Sequence, residues 1–410
     1  MIFWDALKTA NDALNAFTDF DRSANGGEGA LSGVSVGVKA NIAVRDMPWT
    51  AGCDAYRSRV AERDADVVTA LRSAGAAIVG MLNMEEAALG AKTDNPWFGA
   101  TQNPHRVGYS PGGSSGGSGA AVAAGLCDVA LGTDTMGSVR IPAAYCGVYG
   151  FKPANAAVSQ SGLELAEASL DVIGPLARSL DMLERVAMVM SKFAKVRAKD
   201  CAGATLVGHE VACVDDIISN FAYVRGVTGS LTEVRLSHPL SRIRYAGFIK
   251  TSKAMATHFV SVDSEKLSPN LRNLLSYGPR RSDVDWAEDL IVLTQTALEM
   301  HDIISKHGVL LLPTAPQTAF AHSEDAPANQ ADFTCIANIA GLPAISIPSG
   351  WSANGLPCGV QLIGAAGAES LLFDFARKLD TKLAAYRPPA TFIHEGETVP
   401  RQRSIDRLAA

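Results

Sequence analysis

A chain of 410 residues, 47% hydrophobic and 19% charged, has enough apolar material for a large core, which excludes a disordered protein and predicts one or two domains. The net charge of −6 is spread along the chain without a block of like charges, so composition gives no support for binding nucleic acid or an anionic membrane. We therefore expect neither nucleic acid nor a membrane as a partner.

The first third of the chain alternates patterns typical of strands and helices. Residues 34–40 (VSVGVKA) form an apolar β-like run, and residues 64–75 (DADVVTALRSAG) have the acidic start and glycine stop of a helix. Residues 76–81 (AAIVGM) are typical of a buried strand, and Asn83 is a candidate N-cap for a helix that ends near Gly90. This alternation predicts an α/β sheet that is covered by helices on both faces.

A loop rich in glycine and serine follows at residues 108–119 (GYSPGGSSGGSG). An alanine-rich helix at 120–125, a strand at 128–132 and a turn at 133–140 (TDTMGSVR) come directly after it. A flexible linker would join two domains, whereas this segment leads straight into a compact helix and strand. We expect a loop whose glycines allow unusual backbone angles beside a functional site.

Two familiar motifs do not explain this loop. A phosphate-binding loop needs a lysine after its last glycine, and no lysine lies between Lys92 and Lys152. A nucleophile elbow would place Ser114 within G-x-S-x-G at residues 112–116, but that motif needs a strand immediately upstream, and the preceding residues contain prolines.

The pattern is weak between residues 195 and 285, where we cannot order the elements. Regular patterns return later, with helices at 286–305, 333–340 and 370–385 and strands at 309–312, 344–347 and 358–363. The sequence has no internal repeat and no obvious linker. We therefore expect one domain over residues 1–410.

The seven cysteines are widely spaced, and several lie in apolar runs. Their odd number and spacing predict buried thiols in a reducing cytoplasm, not a disulfide framework. The chain contains neither C-x-x-C nor H-E-x-x-H, so we expect no metal site and no cofactor. The cysteines are Cys53, Cys127, Cys146, Cys201, Cys213, Cys335 and Cys358.

Long ordered segments resemble the amidase signature family. The strongest are residues 112–125 (GGSSGGSGAAVAAG), 131–142 (LGTDTMGSVRIP) and 145–153 (YCGVYGFKP). Residues 36–41 (VGVKAN) and 81–104 upstream, and residues 311–316 (LLPTAP) and 333–363 downstream, are similar to further parts of the family pattern. The resemblance covers a core of 30–190 and 285–385 and leaves 195–285 as a variable segment.

The resemblance implies a single large α/β domain with a mixed, mostly parallel central sheet flanked by helices. It also implies a catalytic triad in which Ser138 is the nucleophile, Ser114 after a cis peptide bond is the relay, and Lys39 is the terminal base. The backbone N–H groups of Thr135, Met136, Gly137 and Ser138 would form the oxyanion hole. Lysine acts as a base only when it is neutral, and burial in an apolar strand lowers its ordinary pKa of about 10.4.

One residue departs from the family pattern. The position two before the nucleophile is commonly glycine in similar proteins, and here it is Met136. We expect this side chain to narrow the pocket that receives the acyl group.

The first functional expectation is a stand-alone amidase that cleaves a small-molecule carboxamide through an acyl-Ser138 intermediate and releases ammonia or an amine. By family analogy it would be a homodimer. Two alternatives stay open: the glutaminase (A-type) subunit of a tRNA-dependent amidotransferase, and a catalytically inactive scaffold. The modest length and the unmatched segment 195–285 favour the stand-alone enzyme, and the identity of the amide stays open.

Overall fold

The computed structural model describes residues 4–191, 193, 203–208 and 211–390. Cys201 lies outside these residues. The other six cysteines are free thiols, and all of them except Cys213 are buried.

An eleven-stranded mixed sheet runs through the described part of the chain, with a separate two-stranded hairpin of β4 and β5. The strands are Phe17–Phe20 (β1), Ser35–Lys39 (β2), Ala77–Leu82 (β3), Asp94–Asn95 (β4), Gly99–Ala100 (β5), Val129–Asp134 (β6), Tyr149–Lys152 (β7), Val172–Ala177 (β8), Ala204–Leu206 (β9), Thr232–Val234 (β10), Leu310–Pro313 (β11), Ala344–Trp351 (β12) and Pro357–Ile363 (β13).

The α-helices of the described residues flank this sheet. They are Trp4–Leu14 (α1), Asp66–Ser73 (α2), Gly116–Ala123 (α3), Arg140–Tyr145 (α4), Leu180–Ser191 (α5), Asp215–Thr228 (α6), Leu240–His258 (α7), Pro269–Arg280 (α8), Asp283–His307 (α9), Cys335–Ile339 (α10) and Glu369–Leu383 (α11).

The strands lie in the order β1-β3-β2-β6-β8-β7-β12-β13-β11-β9-β10. Parallel pairs form two groups, β3 with β2 and β6, and β11 with β9 and β10. The pairs between these groups, and the β1–β3 pair at one edge, are antiparallel. The expectation of a single α/β domain with a large mixed sheet flanked by helices is confirmed.

Strand β2 lies in the interior of the sheet. All five of its residues are buried, since parallel strands lie on both sides and helices cover both faces. Val36 and Val38 belong to the core on the side of α2 and α5, whereas Gly37 lies against Leu82 and Phe17. Because β2 and β6 are parallel, their carboxyl ends meet at the same edge of the sheet, which brings Lys39 near the turn after β6.

Within residues 195–285, where sequence patterns gave no clear assignment, the described part of the chain forms regular strands and helices. Its strands β9 and β10 extend one edge of the sheet, and its helices α7 and α8 pack against each other. Helix α8 begins with a hydrogen bond from the Leu271 N–H to the Ser268 side chain, and α9 begins with the equivalent bond from Asp285 to Ser282. Among the described residues, no helix has both the length and the apolar character needed to cross a membrane.

The prediction of a helix after Asn83 is wrong. The chain forms only a short 3₁₀ turn at Glu86–Ala88, and Ala87 and Ala88 have φ values of 53° and 58°. The Asn83 amide does not cap this turn; it donates to the Gly99 carbonyl at 2.9 Å. The segment bends back after β3 instead of continuing as a helix.

Candidate active site

Lys39 is fully buried at the carboxyl end of β2. Its Nζ donates hydrogen bonds to Ser114 Oγ at 2.8 Å and to Thr133 Oγ1 at 2.7 Å. Burial lowers the pKa of Lys39 to about 7, and the nearby carboxylates of Asp171, Asp134 and Glu85 only partly oppose this effect. A large fraction of this amine is therefore neutral near pH 7 and able to accept a proton.

Ser114 lies in the glycine–serine loop immediately before α3, and its peptide bond with Gly113 is cis. The carbonyl of Ser114 accepts a hydrogen bond from the Glu85 N–H at 3.0 Å. A Cβ on Gly113 would lie 2.7 Å from the carbonyl carbon of Ala91, and one on Gly116 would lie 2.4 Å from Thr93 Oγ1. The loop therefore needs glycine at these positions because it packs directly against the segment after β3.

The turn between β6 and α4 carries Ser138, and the buried carboxylate of Asp134 holds this turn. Asp134 accepts hydrogen bonds from the Gly137 N–H at 2.7 Å and the Val139 N–H at 3.2 Å. It also pairs with Arg140, whose Nη2 lies 2.9 Å from Oδ1. Burial alone would raise the pKa of Asp134, but the Arg140 charge and hydrogen bonds hold it at about 2. The carboxylate stays ionised and keeps the turn in shape.

The Gly137 N–H is not free to take part in the expected oxyanion hole. It is one of the four donors that the resemblance implied, yet it points to the Asp134 carboxylate. Within the residues that the structure describes, the N–H groups of Thr135, Met136 and Ser138 donate to no protein acceptor. Those three donors are therefore available to a bound oxyanion.

Ser138 is partly exposed and lies on the wall of a cavity of about 800 Å³. The wall consists of residues from the segment after β3, the turn after β6, helices α7 and α8, and the loop before α10. Gly113, the neighbour of Ser114, lines the same cavity. The structure thus places Lys39 and Ser114 in contact and puts Ser138 on the cavity wall beside the loop that contains Ser114.

Met136 also lines this cavity, as its position in the turn suggested. A Cβ on Gly247 of α7 would lie 3.1 Å from Met136 Sδ, so the sulfur occupies the space above this glycine. The Met136 carbonyl accepts a hydrogen bond from Thr334 Oγ1 at 2.6 Å. The side chain therefore fills a gap between the turn and α7.

Two residues that interact with the Lys39 amine, one by a hydrogen bond and one by its charge, were not predicted from the sequence. Thr133 accepts its second hydrogen bond and lies at the end of β6, within the TDTMGSVR segment, so its closeness to Ser138 in the sequence was the available signal. Asp171 is buried, accepts a hydrogen bond from Thr135 Oγ1 at 2.6 Å, and is the first charge that raises the Lys39 pKa. No sequence pattern links Asp171 to the site.

Comparison with known proteins identifies relatives over most of the chain. The A-type subunit of glutamyl-tRNA(Gln) amidotransferase from Synechococcus sp. (strain CC9311) is 32% identical over 421 residues, which cover 88% of this chain and 86% of the relative. The protein of the same name from Methanospirillum hungatei JF-1 is 33% identical over 424 residues, with 89% and 96% covered.

These relatives correct two expectations. They belong to an amidotransferase that is named for a tRNA, so the prediction that excluded nucleic acid is wrong. Net charge was a poor guide because these relatives are each one subunit of an amidotransferase, and the charge of one subunit does not report on what the whole enzyme binds. The relatives also support the amidotransferase alternative better than the stand-alone amidase that was placed first.

Solved structures agree with this relationship. The A-type subunit of glutamyl-tRNA(Gln) amidotransferase from Thermotoga maritima has a TM-score of 0.84 at 28% identity, covering 94% of this chain and 92% of that one. A chain from the vestigial protein complex linked to the origins of an s-triazine catabolic enzyme has a TM-score of 0.86 at 25% identity, covering 94% of each chain. A model of the amidase family matches residues 3–202 and 202–373. The resemblance to the amidase signature is therefore confirmed, and the chain belongs to the amidase family.

Proposed function

We propose that the chain hydrolyses an amide C–N bond through Ser138, with Ser114 as proton relay and Lys39 as the terminal base. The observation that carries this proposal is the buried Lys39 amine, which has a pKa of about 7 and contacts Ser114 next to the cavity that Ser138 lines. A serine hydroxyl is a weak nucleophile until a base removes its proton, and a neutral amine can be that base.

The proposed reaction has two steps, the acylation of Ser138 and the hydrolysis of the resulting ester. The Ser138 oxygen attacks the amide carbon while its proton passes to Ser114 Oγ and the Ser114 proton passes to Lys39 Nζ. The C–N bond breaks as a proton returns through Ser114 to the leaving nitrogen, which departs as ammonia or an amine. A water molecule then attacks the ester on Ser138, uses the same proton route, and releases the carboxylic acid.

Backbone N–H groups of the turn would stabilise the negative charge on the reacting oxygen. Of the expected donors, Thr135, Met136 and Ser138 support this role because their N–H groups are not committed to other acceptors among the described residues. Gly137 instead contributes through Asp134, which fixes the turn. Fixed donors of this kind commonly make one of the greatest contributions to the rate of acyl transfer.

We further propose that the amide is the side chain of glutamine and that the chain is the glutaminase component of a tRNA-dependent amidotransferase. The support is the match to A-type subunits of glutamyl-tRNA(Gln) amidotransferases over most of their length. In such an assembly the ammonia from this site would serve the amidation of a glutamyl-tRNA held by partner subunits. A cytoplasmic location is part of this proposal, because charged tRNA is made and used there.

A second candidate is an amidase that releases ammonia or an amine from another small-molecule amide. The structural similarity to the chain linked with an s-triazine catabolic enzyme favours it, as does similarity to an amidase at a TM-score of 0.81 and 26% identity. Met136 also gives the acyl pocket a shape that departs from the common glycine pattern.

An ammonia-release assay distinguishes the two candidates. The purified full chain is tested on glutamine, asparagine and simple aliphatic and aromatic amides, with Ser138→Ala as the blank. Preference for glutamine, together with co-purification of partner subunits and bound tRNA from the native cell, supports the amidotransferase role. Preference for another amide supports the second candidate, and no ammonia from any amide would contradict hydrolysis.

A further inference from the structure

Asn41 is a buried polar side chain two residues after Lys39, and the proposed reaction does not use it. It is 2% exposed, and the residues on either side of it in the chain belong to the apolar core. Its main-chain carbonyl accepts hydrogen bonds from Trp49 Nε1 at 3.0 Å and from the Glu164 N–H at 2.8 Å. These bonds hold the Asn41 side chain in one place beside the end of β2.

The Asn41 amide reaches the hydroxyl that also contacts Lys39. Asn41 Nδ2 donates to Thr133 Oγ1 at 3.2 Å, and Lys39 Nζ donates to the same oxygen at 2.7 Å. The other contact of Nδ2, with the Glu164 carbonyl, is long at 3.5 Å. A hydroxyl oxygen has two lone pairs, and the two donors occupy both of them. The Thr133 proton then points away from Lys39 and leaves the lone pair of the neutral amine untouched.

The oxygen of the Asn41 amide contributes nothing to the stability of the fold. Asn41 Oδ1 is buried and accepts no hydrogen bond from the described part of the chain. A buried carbonyl without a donor lowers stability, whereas a leucine of similar size would bury no polar atom. The presence of an asparagine here is therefore better explained by what Nδ2 does for Thr133 than by a structural role.

We propose that Asn41 is a positioning residue that acts through Thr133 and keeps the lone pair of neutral Lys39 free for the Ser114 hydroxyl. Without the amide, the Thr133 hydroxyl can turn and donate to Lys39. The amine would then donate to Ser114 Oγ instead of accepting from it, which is the opposite of the direction that proton transfer needs. This inference rests on the proposed amide-hydrolysing function and names a residue that orients its base.

The test measures the rate at which a fluorophosphonate labels Ser138, because this reaction needs the base and does not depend on which amide is the substrate. Asn41→Leu removes the amide in the full chain. It is combined with Thr133→Val, which removes the hydroxyl, and with Thr133→Ser, which keeps it. Two residues that act through one hydroxyl give effects that do not add, so the combination separates this role from a general loss of structure.

We expect Asn41→Leu to slow labelling by about 3- to 10-fold, the contribution of one ordinary hydrogen bond. The same slowing should appear beside Thr133→Ser, and no further slowing should appear beside Thr133→Val. The urea midpoint of Asn41→Leu should be unchanged or higher, because the variant no longer buries an unpaired oxygen.

Asn103→Leu is the control for a buried amide with a structural role. Asn103 is fully buried, and its Nδ2 donates to the carbonyls of Ser110 at 3.2 Å and Tyr145 at 2.9 Å. Its replacement leaves main-chain acceptors unpaired, so this variant should unfold at a lower urea concentration than the parent chain. Asn41→Ala repeats the labelling series with a smaller side chain, so that the result does not depend on whether leucine fits.

Equal slowing by Asn41→Leu with and without the Thr133 hydroxyl would overturn the inference and leave amide hydrolysis standing. A fall in urea midpoint as large as that of Asn103→Leu, or failure of both Asn41 variants to fold, would also overturn it, because the amide would then be structural. A parent chain that the fluorophosphonate never labels would contradict the proposed function itself, and the inference would fall with it.

Discussion

Lys39 Nζ lies 2.8 Å from Ser114 Oγ, so the buried amine at the end of β2 is in direct contact with the loop that precedes α3. A neutral amine has one lone pair and two N–H groups. Thr133 Oγ1, 2.7 Å away, can accept one N–H and leave the lone pair directed at the Ser114 hydroxyl. This arrangement suits a proton relay that begins at Ser138.

Replacing the amine should abolish the base while keeping the shape of the site. Lys39→Met removes it with a side chain of similar length, and we expect kcat to fall by about 10²- to 10⁴-fold, the usual contribution of a general base. Ammonia release under saturating substrate measures the effect, and circular dichroism checks the fold. Lys39→Arg is the matched control for charge, because a guanidinium stays protonated and should be equally inactive. Near-normal activity of either variant would contradict the role of Lys39.

The pH dependence should follow the protonation of Lys39. The neutral form is the base, and the pKa of Lys39 lies at about 7, so kcat/KM should fall about tenfold per pH unit below 7 and level off above it. A pH–rate profile in buffers of constant ionic strength measures this limb. An acid limb centred above pH 9 would mean that the lysine is not held neutral in the folded protein.

Replacing Asp171 tests whether Lys39 is the group whose protonation sets the acid limb of the pH–rate profile. Its charge raises the pKa of Lys39, so Asp171→Asn should lower that pKa and move the acid limb to lower pH. An amide oxygen can still accept the hydrogen bond from Thr135 Oγ1. The amide nitrogen would face the Ala166 and Glu167 N–H groups that Asp171 Oδ2 accepts, so circular dichroism must first show that the variant keeps its fold. A limb that stays in place or moves to higher pH would show that Lys39 is not the titrating group.

The sequence predicted the residues whose chemistry is local and left out those that the fold brings from far away. The patterns around Lys39, Ser114 and Ser138 are distinctive over short stretches. Strand β2 was placed nearly as it is found, whereas α3 begins at Gly116, four residues before the predicted start of the helix. Asp171 carries no local pattern, because it lies just before β8 and reaches the site only through the pairing of β8 with β6. Sheet edges and helix packing are set by contacts between distant residues, which periodicity in one segment cannot encode.

Helix α7 illustrates why the segment 195–285 was unreadable. It packs on α8, α9 and α10 and contributes to the cavity wall, so it lacks a single apolar stripe. Gly247, Thr251 and Ser252 are buried within it, and small or polar residues of this kind weaken the pattern from which helices are recognised. The wrong prediction of a helix after Asn83 has a related origin. Residues that commonly cap helices also occur where tertiary contacts bend the chain, and the Asn83 amide makes such a contact with the Gly99 carbonyl.

Met136 and Gly247 should set the size of the acyl group that the site accepts. Met136→Gly removes the side chain that fills the space above Gly247, so we expect kcat/KM to rise for bulky acyl groups relative to small ones. Gly247→Ala should have the reverse effect, because its new Cβ would lie 3.1 Å from Met136 Sδ. A series of aliphatic and aromatic amides measures the preference. An unchanged preference in Met136→Gly would contradict this role.

Arg140 should be needed for stability as well as for the shape of the turn. It is fully buried, and Arg140→Met would leave the Asp134 carboxylate buried without its counter-charge, which costs about 3–5 kcal/mol in comparable cases. Urea denaturation followed by fluorescence measures the change in the free energy of unfolding. Arg225→Met, which breaks the exposed pair with Glu233, should cost no more than about 1 kcal/mol. Equal urea midpoints for the two variants would count against the proposed role of Arg140.

Covalent labelling of the nucleophile tests the central claim most directly. The full chain is treated with a fluorophosphonate, and the modified residue is located by peptide mass spectrometry. We predict an adduct on Ser138, none in Ser138→Ala, and labelling of Lys39→Met slowed by about 10²-fold or more, since the serine would lack its base. An adduct on Ser114, no adduct on any serine, or labelling of Lys39→Met at the unmodified rate would contradict the account.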